Sequence, residues 1–228
     1  MKKIHWFTVT NSTPSNKNTF TIQDEEVVRQ ISRVLKLEAG ESVVIKTDET
    51  AFEGVIQQVS REEVTISNLK EKTQDISFKK ISLFFCIPKK DKFETILEKC
   101  TEIGVTDFYP VISSRTVKTD INTERSEKII QEASEQAQRI DTPLLHEIQS
   151  LEDIIKEYRP AVFDVDGEPF SKNSVLAVHN ILIGPEGGFT PEEIKMFKEH
   201  RLDIYKIGHT VLKTETAAIV ISALAILE

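Results

Sequence analysis

Two glycine-bearing turns near the C-terminus constrain this 228-residue chain more than any other feature. An apolar strand ending at Ile183 runs into Gly184-Pro185-Glu186-Gly187-Gly188-Phe189-Thr190-Pro191. One helix later, the strand Asp203 to Ile207 runs into Gly208-His209-Thr210-Val211-Leu212-Lys213-Thr214. Glycine removes the side chain where a backbone must turn sharply or let another group come close. After the first turn, Thr190 is expected to cap a helix, with Pro191 at its first position and Glu193 completing a capping box. After the second, Thr214 or Thr216 is expected to cap an apolar helix running to Leu227. Both are strand-to-helix turns, the places where open α/β sheets bind ligands. Neither has the G-x-G-x-x-G or G-x-x-x-x-G-K-[ST] spacing, which argues against a Rossmann cofactor or a nucleoside triphosphate.

The N-terminal part has a different rhythm. Short strands are expected near Ile4 to Thr10, Thr19 to Gln23, Ser42 to Lys46, Ala51 to Val59 and Val64 to Ser67, separated by polar turns such as Thr47-Asp48-Glu49. One helix, Asp24 to Leu35, interrupts them and is expected to end near Gly40. Closely spaced short strands with a single helix point to a small barrel. Residues 68 to 80 lack periodicity and read as a linker. From Ile81 the pattern changes: Ile81 to Ile87 is a continuous apolar run, as in a buried parallel strand. Helices at Asp91 to Ile103 and Glu124 to Arg139 then alternate with strands at Phe108 to Ile112, Ala161 to Val165 and Asn180 to Ile183. That alternation implies an α/β layer architecture.

The net charge of −8, with no basic excess in either half, disfavours generic nucleic-acid binding and confines any RNA site to a local patch. Cys86 and Cys100 have no metal-ligand spacing and read as reduced core residues of a cytoplasmic protein. The five histidines share no spacing either, so no metal is expected. Met1-Lys2-Lys3 is a charged start, but the following run turns polar, so neither a signal peptide nor a membrane span is expected. The last helix, Ala217 to Leu227, is apolar on nearly every face. It belongs either in the centre of its domain or in a subunit interface, and its terminal position favours a symmetric homodimer.

Leu182-Ile183-Gly184-Pro185-Glu186-Gly187-Gly188-Phe189 followed by Leu212-Lys213-Thr214-Glu215-Thr216-Ala217 resembles the paired signature of the RsmE family. These are small-subunit (16S) ribosomal RNA uridine N3-methyltransferases of the SPOUT superfamily. The resemblance extends through Lys92 and Lys99-Cys100-Thr101-Glu102-Ile103-Gly104-Val105, then Pro110 with Ser113-Ser114-Arg115, and Glu132-Ala133-Ser134-Glu135-Gln136-Ala137-Gln138-Arg139. Near the N-terminus, Ile31-Ser32-Arg33-Val34-Leu35-Lys36-Leu37 with Gly40 is similar to the family's H-L-x-R-V-L-R-L motif. Essentially the whole chain is covered. Gln30, Lys36 and Lys213 stand where the family has His, Arg and Arg, and a lysine lacks the planar two-point grip of a guanidinium.

The resemblance implies an α/β fold in which residues 75–228 form a C-terminal trefoil-knot (SPOUT) methyltransferase domain, threaded near Ala161 to Ala217. It also implies a small PUA-like β-barrel over residues 1–70 as the RNA-binding domain. The implied cofactor is S-adenosyl-L-methionine, held by Ile183, Gly184, Pro185, Glu186, Gly188, Ile207, Gly208, Leu212, Lys213, Thr216 and Ala217. Uridine N3 carries a proton at neutral pH, so methyl transfer needs a proton acceptor or a cation to stabilise the developing anion. Arg139 and Lys213 are the candidate cations, Glu102 and Glu135 the candidate acceptors. Arg33, Lys36, Arg115 and Arg139 are candidate RNA contacts. Two alternatives stay open: the same chemistry on another RNA, and a non-catalytic RNA-binding or ribosome-assembly protein.

Overall fold

The computed structural model describes residues 4–10, 12–47, 50–73, 79–170 and 178–226. The charged start Met1-Lys2-Lys3, the Asp48-Glu49 tip, residues 74–78 of the expected linker and Leu227 lie outside them. The chain forms two compact units, Met1–Ile76 with Ser134–Asp141, and Ser77–Ala133 with Thr142–Glu228. The division is therefore not a single cut, because a short segment from the middle of the sequence belongs with the first unit.

In the first unit, β1 (His5–Thr8), β2 (Thr19–Ile22), β3 (Ser42–Lys46), β4 (Ala51–Val59) and β5 (Val64–Lys72) form one sheet in the order β1-β3-β4-β5-β2. The β1–β3 pair is parallel and the others are antiparallel. Inward residues at alternate positions, Phe20 and Ile22, Val43 and Ile45, Val64 and Ile66, fill the core with Phe7 and Ile56. Helix α1 (Glu25–Arg29) adds Val27 and Val28, and its Asp24 cap accepts from Val27 N at 2.9 Å.

Two expectations change here. The helix continues beyond α1 as a π-helical turn, Gln30–Val34, and stops at Lys36, which takes φ +52 itself ahead of Gly40. The strand β5 runs on to Lys72, through residues expected to be linker. That extension is held by paired polar side chains, Lys72 on Glu53 at 3.1 Å and Thr50 on Glu71 at 3.1 Å. Such cross-strand pairs leave no hydrophobic alternation to read.

The second unit is built on a seven-stranded, all-parallel sheet. Its strands are β6 (Ser82–Cys86), β7 (Asp107–Ile112), β8 (Leu144–Leu145), β9 (Gln149–Ser150), β10 (Ala161–Pro169), β11 (Asn180–Ile183) and β12 (Ile204–Lys206). Their order is β12-β10-β11-β6-β7-β8, with β9 also on β7. Among the described residues its helices are α2 (Lys90–Ile103), α3 (Thr123–Gln136, whose end from Ser134 is assigned to the first unit), α4 (Leu151–Tyr158), α5 (Pro191–Glu199) and α6 (Thr214–Ile226).

Strand β6 shows why its sequence is apolar throughout: both faces of the sheet are covered. Leu83 and Phe85 point into a core with α2 and α6, through Ile96, Leu97, Ala218 and Ile221. Phe84 and Cys86 point the other way, into a core with Ile154 of α4 and Phe197 of α5. Both cysteines are free and fully buried, and burial pushes each thiol up to about 12. Helix α6 buries Thr214, Ala218, Ile221, Ser222 and Ala225, while Leu224 remains 38 % exposed, so this largely apolar helix is covered on one side and open on the other. Among the described residues no helix is long and apolar enough to cross a membrane.

Candidate functional site

The carboxyl ends of β11 and β12 and the middle of β10 open onto a single cleft of about 820 Å³. Both glycine turns line it, the first leaving β11 and the second leaving β12.

In the first turn, Gly188 takes φ +69 and its N–H donates to the Pro185 carbonyl at 2.9 Å. Gly184 is required for a different reason: a Cβ there would lie 2.8 Å from the Phe189 ring. That ring is buried edge-to-face against Phe197 at 4.9 Å. Thr190 then caps α5, with Pro191 in the first turn and the full capping box to Glu193. Glu193 is only 5 % exposed, and its carboxylate serves two backbones, accepting from Thr190 N at 2.7 Å and from Ser114 N at 2.8 Å. The loop after β7 is thereby fastened beside the turn, and Arg115 Nη1 donates to the carbonyls of Gly187 at 2.7 Å and Phe189 at 3.3 Å.

In the second turn, Gly208 takes φ +64. Neither Thr214 nor Thr216 caps the helix that follows, because α6 already begins at Thr214 and Ala217 N donates to the Lys213 carbonyl at 2.9 Å. The Thr214 hydroxyl instead donates across to the Gly184 carbonyl at 3.4 Å, joining the two turns. Helical spacing places Thr214, Ala217 and Ile221 on the cleft and turns Thr216 away from it.

All the residues expected to hold a cofactor except Thr216 line this cleft: Ile183, Gly184, Pro185, Glu186, Gly188, Ile207, Gly208, Leu212, Lys213 and Ala217. Its walls combine apolar surface from Phe163, Ile183 and Ile221 with charged groups at Lys92, Asp164, Lys206 and Lys213. Lys92 of α2 pairs with Glu186 and lies 3.9 Å from Glu215 Oε2. The hydrogen bond and charge of Lys92 hold the Glu186 carboxyl below the ordinary carboxylate range, and the same bond raises the Lys92 ammonium.

Lys92, Asp164, Val165, Tyr205 and Lys206 also line the cleft but were not expected there, and His209, expected only as part of the second turn, lines it too. Asp164 and Val165 lie in the middle of β10, just past Phe163 where its pairing with β11 ends, and at the close of the strand expected from sequence, so the preference of ligands for strand ends would have found them. Lys92 left no such signal, since its partner Glu186 is 94 residues away in sequence.

Of the four residues expected to act chemically, only Lys213 lines the cleft. Glu102 accepts from Lys99 on the exposed side of α2. Glu135 and Arg139 belong to the segment assigned to the first unit, where Glu135 accepts from Thr8 N at 2.8 Å. Arg139 is 7 % exposed and pairs with Asp141, so its guanidinium is built into the fold. Beside it, Lys46 is 2 % exposed and donates to the Asp141 carbonyl at 2.8 Å. Burial lowers Lys46 to about 8 in spite of the nearby Asp141 charge. Asp141 is pushed up by burial, but the hydrogen bond and charge of Arg139 outweigh this and leave it below its usual range. Of the expected RNA contacts, Arg33 and Lys36 are exposed on the first unit, while Arg115 is exposed yet bonded to the glycine turn. No cluster of His, Cys, Asp and Glu suited to a metal occurs among the described residues.

The chain is similar to known proteins over most of its length. The chain is 22 % identical over 219 residues to ribosomal RNA small subunit methyltransferase E of Rickettsia conorii, covering 92 % of this chain and 90 % of that one. It is 28 % identical over 224 residues to the protein of the same name from Bacillus subtilis, covering 87 % and 86 %. Its fold matches the crystal structure of a ribosomal RNA small subunit methyltransferase E from Neisseria gonorrhoeae bound to S-adenosyl methionine, with a TM-score of 0.84 at 22 % identity over 97 % of this chain and 96 % of that one. Residues 75–226, which carry the cleft, match the family model described as the RNA methyltransferase domain. The chain therefore belongs to the RNA methyltransferase domain family, among its ribosomal RNA small subunit methyltransferase E (RsmE) members.

Proposed function

We propose that the protein is an S-adenosylmethionine-dependent methyltransferase that modifies N3 of a uridine in small-subunit ribosomal RNA. The observation that carries this reading is the convergence of two glycine turns on one cleft at the strand ends, in a chain of this family. The residues present fit such a donor. A volume of about 820 Å³ suits a molecule of nucleoside size with an amino-acid tail. At Gly188 and Gly208 a Cβ would meet nothing within 4 Å, so main chain stands open to a ligand. Asp164 and Glu186 supply carboxylates for a cationic ligand with ribose hydroxyls.

The bound donor supplies an already activated methyl group, which leaves the protein to position, desolvate and balance charge. Phe163, Ile183 and Ile221 exclude water from the inner wall, and the backbone around Gly184 and Gly208 orients the base of the donor. Lys213 is the cation placed to stabilise negative charge developing on the uridine as its N3 proton passes to solvent water. Arg33 and Lys36, exposed on the first unit, are candidates for phosphate contacts. In this reading the first unit is a PUA-like barrel, and the chain between Ala161 and Ala217 is threaded as a SPOUT trefoil. The open side of α6, with Leu224 exposed and Ile219 half-buried, meets a second copy. The protein works in the cytoplasm, where ribosomal RNA is modified.

Calorimetric titration with S-adenosylmethionine tests the donor site, and the absence of binding would remove the enzyme reading. Deletion of the gene followed by mass spectrometry of ribosomal RNA tests the target, because N3-methyluridine should disappear. Gln30, Lys36 and Lys213, in place of the family's His, Arg and Arg, favour a second reading in which another RNA is methylated. Persistence of N3-methyluridine with loss of a different methylated nucleoside would select it.

A further inference from the structure

The wall Gly184–Phe189 has little of its own to define its shape. Three of its residues are glycines, which lose more conformational freedom on ordering than any other residue. Its internal tie is the bond from Gly188 N to the Pro185 carbonyl. Two cations from other elements grip it at different points. Arg115, fastened in place by the Glu193 bond to Ser114 N, donates from one nitrogen to the carbonyls of Gly187 and Phe189. Lys92, on α2, pairs with the turn's Glu186 side chain. The Lys92 ammonium also lies 3.9 Å from Glu215 Oε2, a buried oxygen in the first turn of α6 with no hydrogen-bond partner. A single cation therefore faces a carboxylate of the first glycine turn and one of the helix that follows the second, each within ion-pair range.

We infer that Lys92 and Arg115 are positioning residues that together set the ligand-binding shape of the Gly184–Phe189 turn, and that Lys92, alongside the Thr214–Gly184 hydrogen bond, couples it to the start of α6, where the second glycine turn ends. This gives Arg115 a role other than the RNA contact expected from sequence. A guanidinium spent on two backbone carbonyls acts on the cofactor wall, and a phosphate contact would act on RNA affinity. The affinity part of the inference rests on the cleft being a donor site. The coupling part does not.

The test uses the full-length protein with Lys92→Met, Lys92→Arg, Arg115→Ala and Arg115→Lys. Two readouts are needed, calorimetry with S-adenosylmethionine and residue-resolved amide hydrogen exchange without ligand. Lys92→Met and Arg115→Ala should each weaken binding roughly tenfold, the scale of one charge-assisted hydrogen bond. Exchange at Gly187 and Gly188 should quicken in both, while exchange across Gly208 to Lys213 should quicken only in Lys92→Met. Lys92→Arg should restore most of the loss. Arg115→Lys should restore less, because an ammonium lacks the guanidinium's fixed planar geometry. In turnover, the donor KM should rise while kcat and the RNA KM hold. A raised RNA KM for Arg115→Ala with unchanged donor affinity would overturn the assignment, as would protection lost throughout the second unit. If the wild-type protein binds no S-adenosylmethionine, the donor reading fails separately, and exchange decides: equal rates in all variants reject the inference.

Discussion

Two clusters of opposed charge, one taken from each unit, differ in their surroundings. In the first unit, Lys46, Arg139 and Asp141 are drawn together with both cations almost wholly buried. In the second, Lys92, Glu186 and Glu215 meet at a cleft where Lys92 keeps 30 % and Glu186 37 % of its side chain exposed. Buried charges need their partners to repay lost hydration, which commits them to the fold. Charges at a cleft mouth keep part of their hydration and remain available to a ligand. Arg139 and Glu186 look alike as sequence candidates, and burial separates their uses.

The largest effect that would break this contrast comes from pH. In the fold Lys46 titrates near 8, whereas an unfolded lysine titrates near 10.5, so between those values the unfolded chain binds more protons. Stability should therefore rise with pH across that window, by up to about 3 kcal/mol, as the buried charge is relieved. Lys46→Met should flatten that rise in urea titrations, and an unchanged slope would show that Lys46 is not desolvated.

Arg139→Ala comes next, with a loss of about 2 kcal/mol in unfolding free energy; the half-exposed Asp141 keeps the loss below that of a fully buried pair. Donor affinity should be unaffected, and weaker binding of S-adenosylmethionine without a change in stability would return Arg139 to the chemistry. Gly188→Val should weaken donor binding roughly 10- to 30-fold, because a β-branched residue at φ +69 carries strain of about 1–2 kcal/mol. Since a Cβ would have open space there, Gly188→Ala should show a smaller loss of the same kind. The smallest effect belongs to Glu186→Gln. Thermal stability should hardly move, and a two- to threefold loss of donor affinity should fade as salt rises from roughly 0.05 to 0.5 M. A salt-independent loss would mean that the cleft pair is as sheltered as the buried one.

Much of the second unit is legible from sequence because its signals are local. The apolar run at β6, the capping box at Thr190 and the glycines at the ends of β11 and β12 each state their geometry within a few residues. What was hidden depends on partners distant in sequence. The extension of β5 to Lys72 rests on cross-strand polar pairs, and Lys92 becomes part of the cleft only through Glu186. Ser134–Asp141 belongs with the first unit because Ile140 packs with Trp6, Val44 and Ala51, contacts that no helical pattern announces. The same cause redirected Glu135 and Arg139. Residue type advertises charge, and only the fold reveals whether that charge is already spent.

The burial of Cys86 and Cys100 also has a practical side. Both thiols are fully enclosed, and burial keeps them protonated far above neutral pH, so at pH 7 neither offers a thiolate to alkylating reagents. They are also the chain's only sulfhydryls. A cysteine placed at Val211, 81 % exposed on the cleft rim, would thus be the one site to accept a fluorophore or spin label in the native protein, giving a reporter of cleft occupancy against a silent background.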